Sequence, residues 1–180
     1  MDLRIQKTRS GIINAFLQLR AKKPLERITV KELADLAMIN KATFYLHYKD
    51  IYDLSEQLEN ELFQSVFNSI AHPNSVLSEP KLFARELVEG FIANQSLIDI
   101  IFGDGRRNIL AEKIEREMRR FVFEKYPQYK DSPEINISLT YMIKGGYYAY
   151  TENARYGADV VVEIIGEMSE GVISRLMRRE

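Results

Sequence analysis

The 180-residue chain contains no cysteine. That absence excludes a disulfide framework, a zinc ribbon, an iron–sulfur centre and a thiol nucleophile, and it suits a reducing compartment. Histidine is almost absent too: His47 and His72 are the only two, too few for one chain to build a histidine-rich metal site. No run of about 18 apolar residues exists, so no membrane-spanning helix is expected. The charged segment from Met1 to Ser10 is followed by no signal-type apolar core. Glycine is missing between Gly11 and Gly90, which leaves that stretch without the commonest helix punctuation. Strand-like alternation is hard to find. The phosphate loop, the dinucleotide fingerprint, the zincin helix and the nucleophile elbow are all lacking, so neither a cofactor nor a catalytic constellation is expected. These absences predict a soluble, cytoplasmic, all-α protein.

Apolar residues make up 46% of the chain and charged residues 28%, an ordinary globular balance, and the length suffices to bury a real core. The net charge of -1 is unevenly spread. Residues 1–49 carry ten lysines and arginines against four acids, a net of +6, and the remainder carries 15 against 22, a net of -7. A basic first quarter points to an anionic partner such as nucleic acid, although a solvated helical face has the same composition.

Apolar spacing predicts helices over about 3–22, 29–37, 41–48, 50–70, 81–94, 96–102, 106–126, 134–156 and 159–178. Pro24 stops the first. Thr29, with Glu32 three residues on, forms a capping box for the second. Asn40 caps the third, and Asp50 the fourth. Residues 72–80, with two prolines and two serines, read as a linker. Gly103-Asp104-Gly105 reads as a turn between helices, not as a phosphate loop. The expected organisation is a small basic N-terminal domain over 1–50, a connecting helix over 51–71 and a larger domain over 81–180.

The second and third helices are short, joined tightly, and the third is polar and basic at its start. This describes a helix-turn-helix, whose second helix enters a DNA major groove about 12 Å wide. Phe44 and Tyr48, four residues apart, can face the core, which turns Lys41, Ala42, Tyr45 and Leu46 outward. Free N–H groups at the helix start suit phosphate.

Thr29-Val30-Lys31-Glu32-Leu33-Ala34, followed by Asn40-Lys41-Ala42-Thr43-Phe44-Tyr45-Leu46-His47-Tyr48-Lys49-Asp50, resembles the DNA-binding domain of the tetracycline-repressor (TetR) family over about residues 8–58. Three positions depart from the family pattern. Met38 stands where a turn glycine is usual, Pro24 replaces another glycine, and Ile51 replaces a frequent lysine. The resemblance implies that Thr29 touches a phosphate and that Asn40, Lys41, Ala42 and Thr43 lie at the mouth of the groove. It implies that Tyr45 and His47 reach phosphate or base edges, that Lys49 contacts phosphate, and that Phe44 and Tyr48 are structural.

The last two helices carry more apolar surface than a peripheral helix needs. One shows Ile137, Tyr141, Gly145, Tyr148 and Ala149, and the other Ile164, Ile165, Met168, Val172 and Leu176. Glycine inside a helix costs about 1 kcal/mol relative to alanine, so Gly145-Gly146 points to close packing or a ligand. In the resembled family these helices form a four-helix bundle in a homodimer. Ile137, Tyr141, Gly145, Ile164, Ile165, Met168, Val172 and Leu176 are therefore the candidate dimer interface. The resemblance also implies a small-molecule effector pocket, with Phe91, Phe102, Met118, Phe121, Tyr141 and Tyr148 as candidate walls, although such an aromatic stripe also suits plain core. The expected function is a ligand-responsive repressor, binding a near-palindromic operator as a homodimer. The alternatives are an activator or co-regulator of the same build gated by a protein partner, and an all-helical enzyme for which no residue speaks.

Overall fold

A computed structural model describes residues 3–103 and 105–178. Asp104 of the expected glycine-flanked turn lies outside the described residues, as do Met1 and Asp2 of the charged N-terminal segment. The described chain is all α: ten α-helices and three short 3-10 turns, with no strand among the described residues. None of these helices is long and apolar enough to cross a membrane. The chain divides into two compact units, residues 1–64 with 95–104, and residues 65–94 with 105–180. The division falls inside the fourth helix, not at either of its ends.

The first unit holds α1 (Leu3–Arg20), a 3-10 turn (Leu25–Arg27), α2 (Val30–Leu36), α3 (Lys41–Tyr45), most of α4 (Ile51–Asn68) and α7 (Gln95–Phe102). Its core is assembled from one apolar stripe per helix: Ile12 and Phe16, Leu33, Phe44, Leu54 and Leu62, and Ile101 are all excluded from solvent. Helix α7 packs on α1 through this core. Arg20, at the end of α1, is buried. Its guanidinium donates to the carbonyls of Lys23 at 3.1 Å, Ile101 at 3.3 Å and Gly103 at 3.5 Å. Two of those oxygens belong to the C-terminal end of α7, where unsatisfied carbonyls concentrate negative charge and favour a cation.

The second unit holds the end of α4, α5 (Ser75–Ser78), α6 (Pro80–Ala93), α8 (Arg107–Lys125), α9 (Pro133–Asn153) and α10 (Ala158–Met177), with 3-10 turns at Pro127–Tyr129 and Ala154–Tyr156. Helix α10 packs on α6 and α9, and α9 on α8. The expected linker contains one helical turn, α5. Its two prolines flank that turn and do not interrupt it, and Pro80 opens α6, where its missing N–H costs nothing. Ser75 donates its N–H (3.0 Å) and its hydroxyl (2.6 Å) to the carbonyl of His72.

The Glu86 carboxylate of α6 in turn accepts the His72 backbone N–H at 2.9 Å and faces its Nδ1 at 2.6 Å. This hydrogen bond raises the His72 pKa above its ordinary 6.5 and lowers that of Glu86 below its ordinary 4.5. The histidine contribution to stability is complete below the unfolded pKa and is lost as pH rises through the folded one. The glutamate contribution is complete above its own unfolded pKa and is lost as pH falls. The pair therefore stabilises most between those two values. The melting temperature of the wild type should fall more steeply from about pH 6 to 8 than that of His72→Gln. Parallel profiles would remove the pair from the stability of this unit.

Candidate nucleic-acid interface

Helix α2 begins because Thr29, in an extended conformation, turns its Oγ1 to accept the Glu32 N–H at 3.3 Å. Only this arm of the expected capping box forms. The Glu32 carboxylate is paired instead with Lys23. Asn40 starts α3 more firmly: its Oδ1 accepts the Thr43 N–H at 2.7 Å and the Thr43 hydroxyl at 2.9 Å. Helix α3 ends at Tyr45, three residues short of expectation. The chain nevertheless keeps winding, since the N–H groups of His47 (2.9 Å) and Tyr48 (3.0 Å) both donate to the Phe44 carbonyl. Tyr48 thus still lies one turn above Phe44, its ring tilted against that ring with centroids 5.8 Å apart. Asp50 caps α4 by accepting the Asp53 N–H at 2.8 Å, and Asp53 accepts the Lys49 N–H at 2.8 Å. That hydrogen bond, aided by the Gln57 amide, holds the Asp53 carboxyl below its ordinary range.

This winding sorts the side chains. Phe44 and Tyr48 are buried, and burial pushes the Tyr48 phenol pKa up. Thr29, Asn40, Lys41, Ala42, Tyr45 and Lys49 are exposed, while Thr43 and His47 are half-buried. All eight residues expected to meet DNA therefore have solvent-facing surface. Ile51, which stands where a lysine contact was missing, is instead core. Two further residues in the same stretch are exposed: Met38, 92% exposed, and Leu46, 84% exposed. The signal for Leu46 was available, since it is a large apolar residue between Tyr45 and His47 at the end of a short helix.

Met38 also adopts φ of 53°, and it is the one non-glycine residue with positive φ among those described. The left-handed conformation costs an L-residue about 1–2 kcal/mol. Its side chain makes almost no contact to lose. Met38→Gly should therefore raise stability by about 1 kcal/mol, read as a higher melting temperature. An unchanged or lower value would mean that the side chain pays back its strain within the fold.

The residues expected around an effector fall in both units. Phe102 belongs to the first unit and is buried there; Met118 is buried in the second. Phe121 stacks on Phe67 at 5.3 Å and lies 5.6 Å from Phe83, which is core packing. Phe91 is half-buried, while Tyr141 and Tyr148 are exposed. An aromatic stripe in a sequence does not reveal which face it lies on.

Tyr141 lies in a different place, a cleft of about 230 Å³ between α9 and α10. Met142, Gly145, Gly146 and Ala149 line one side, and Ile165, Met168, Ser169 and Val172 the other. Each set follows i, i+3, i+4, i+7 spacing, one face of a helix. Met142 and Ser169 could have been added to the expected surface from that spacing alone. A Cβ at Gly145 would meet open space, and one at Gly146 only Ile165 at an ordinary 3.4 Å. Packing within the chain therefore does not require either glycine. Ile137, Tyr141, Gly145, Ile164 and Met168 are exposed, and Ile165, Val172 and Leu176 half-buried, whereas Val161 and Ile173 of the same apolar arc turn into the chain's own core. No three or more potential metal-ligating side chains cluster among the described residues. In comparisons with known proteins, no family model matches the chain, and no curated protein gives a significant sequence match.

Proposed function

We propose that the chain is a sequence-specific, double-stranded-DNA-binding transcriptional regulator of the tetracycline-repressor type, acting in the cytoplasm as a homodimer and as a repressor. One observation carries the reading. Two capped short helices, α2 and α3, anchor Phe44 and Tyr48 inside while Lys41, Ala42, Tyr45 and Lys49 face solvent, on a segment whose net charge is +6. A major-groove reader needs that division: its inner face fixes the angle of the helix, and its outer face meets bases and phosphates.

The apolar cleft between α9 and α10 supports the homodimer. Ile137, Tyr141 and Met168 are each more than 60% exposed, and large apolar side chains grouped on one face mark an association surface. The open space over Gly145 admits a second backbone. A single head would meet too few base pairs for specificity, whereas a two-fold pair meets two half-sites. Repression follows by occlusion of a promoter. A small-molecule effector belongs to this reading as an expected ligand with no assigned wall.

The test is selection from a pool of random duplexes by the full chain. Near-palindromic sequences should be enriched, with half-site centres about 34–36 Å or a multiple apart. Affinity should fall steeply with salt. Lys49→Ala should weaken all sequences about equally and reduce the log–log salt slope by about 0.9, the release of one phosphate's counterion. Failure to enrich any duplex would sink the proposal, and an unchanged slope would remove Lys49 from the contacts.

A further inference from the structure

The proposed reading head has few side chains able to recognise an A·T pair by hydrogen bonds. Adenine is read bidentately by Asn or Gln, through an amide oxygen and nitrogen together. Glutamine is absent from residues 37–50, as is arginine. Asn40 is present, but its Oδ1 already accepts both the N–H and the hydroxyl of Thr43, so using it for a base would unmake the start of α3. Beside Lys41 and Tyr45, the helix and its C-cap offer two apolar side chains outward. Ala42 and Leu46 are four residues apart, and so lie on one face; Ala42 is exposed, and Leu46 is 84% exposed. Leu46 is held there as the C-cap of α3, in right-handed helical geometry without strain.

A leucine this exposed gains nothing from the fold of its own chain. An occupant that covers it would supply that gain, and the surrounding charge selects the occupant. Lys41 and Lys49 stand before and after the pair, both exposed, on the segment of net charge +6. A polyanion with an apolar feature inside a groove fits this surface, and the major groove of duplex DNA presents one such feature, the C5-methyl group of thymine. We infer that Leu46, with Ala42 beside it, reads thymine methyl groups in the major groove. The operator's A·T pairs are then recognised from the thymine side by apolar contact. This rests on the DNA-binding reading above and adds the base and the atom that it recognises.

The test replaces thymine by deoxyuridine, which removes the methyl group and leaves base pairing intact. Duplexes enriched by the full chain are remade with each thymine substituted singly. At one or more thymines in each half-site, the wild type should lose about fourfold in affinity, the worth of burying one methyl group. Leu46→Ala should bind the parent duplex several-fold more weakly and show no further loss at those thymines, with an unchanged melting curve because the side chain is exposed. Two results would overturn the inference: a wild type indifferent to every thymine methyl, or a Leu46→Ala protein that keeps the full deoxyuridine penalty. Failure to enrich any duplex overturns the DNA-binding reading along with it. Enrichment without methyl dependence overturns only the role of Leu46.

Discussion

Met168→Glu should leave the chain folded but monomeric at micromolar concentration, and operator binding should disappear. Met168 is 63% exposed within its own chain, so a carboxylate there stays hydrated in the monomer and costs the fold little. In a two-fold dimer built on the α9–α10 face it would lie near the centre, in a cleft otherwise lined by Met142, Ala149, Ile165 and Val172. An isologous interface receives the substitution twice. Each carboxylate would be buried without a partner at a cost of about 3 kcal/mol, so the interface weakens on the order of 10⁴-fold. Sedimentation velocity reads the assembly, and duplex binding by the same sample reads the consequence. An undisturbed Met168→Glu dimer would place the interface elsewhere. A wild-type monomer with full operator affinity would remove the homodimer from the proposal.

Phe44→Ala and Tyr45→Ala, adjacent in the chain, should have opposite signatures. Phe44 has no solvent exposure and meets the Tyr45 ring edge-on at 5.5 Å and the Tyr48 ring at 5.8 Å. Truncating such a phenylalanine costs about 3–5 kcal/mol, a large share of the stability of a small unit. The first unit should melt early, seen as loss of amide protection in α2 and α3, and DNA binding should vanish with it. Tyr45 is 56% exposed. Its removal should change stability by less than about 0.5 kcal/mol, although some edge contact with Phe44 is lost, while DNA affinity drops at least tenfold. Equal destabilisation by the two variants would make Tyr45 a core residue. A fully active Tyr45→Ala protein would take it off the contact surface.

The sequence made the helices legible, for a physical reason. Nine of the ten helices announce themselves by apolar spacing, and their ends fall within a few residues of expectation because Thr29, Asn40 and Asp50 each cap a helix through a local hydrogen bond. Interactions three residues apart are written in the sequence. The division of α3 into inner Phe44 and Tyr48 and outer Lys41, Ala42 and Tyr45 was legible for the same reason. Helix α5 was not, because a single four-residue turn has no period to read. The packing of α7 on α1 was not either: Arg20 reaches carbonyls 81 and 83 positions away, and no local pattern foretells the burial of an arginine. An effector pocket was not legible either, because an aromatic side chain fits a core and a pocket equally well. The α9–α10 face could be read as apolar, but only the structure separates Val161 and Ile173, which are used internally, from Ile164 and Met168, which are left outside.

The docking of α7 on α1 bears on how the protein is made. The first unit needs residues 95–104, yet about thirty residues of the second unit lie between them and residue 64. On the ribosome, α1 to α4 emerge first, with the apolar site for Ile98, Ile101 and Phe102 still open and the Arg20 guanidinium still lacking the Ile101 and Gly103 carbonyls. At a synthesis rate of roughly 5–20 residues per second, that gap lasts a few seconds. A fragment cut at residue 71 would remain permanently in this nascent condition. Helices α2 and α3 can therefore be complete in sequence well before they are complete in stability. A chain interrupted early in translation should yield a sticky intermediate and not a small, independently folded domain.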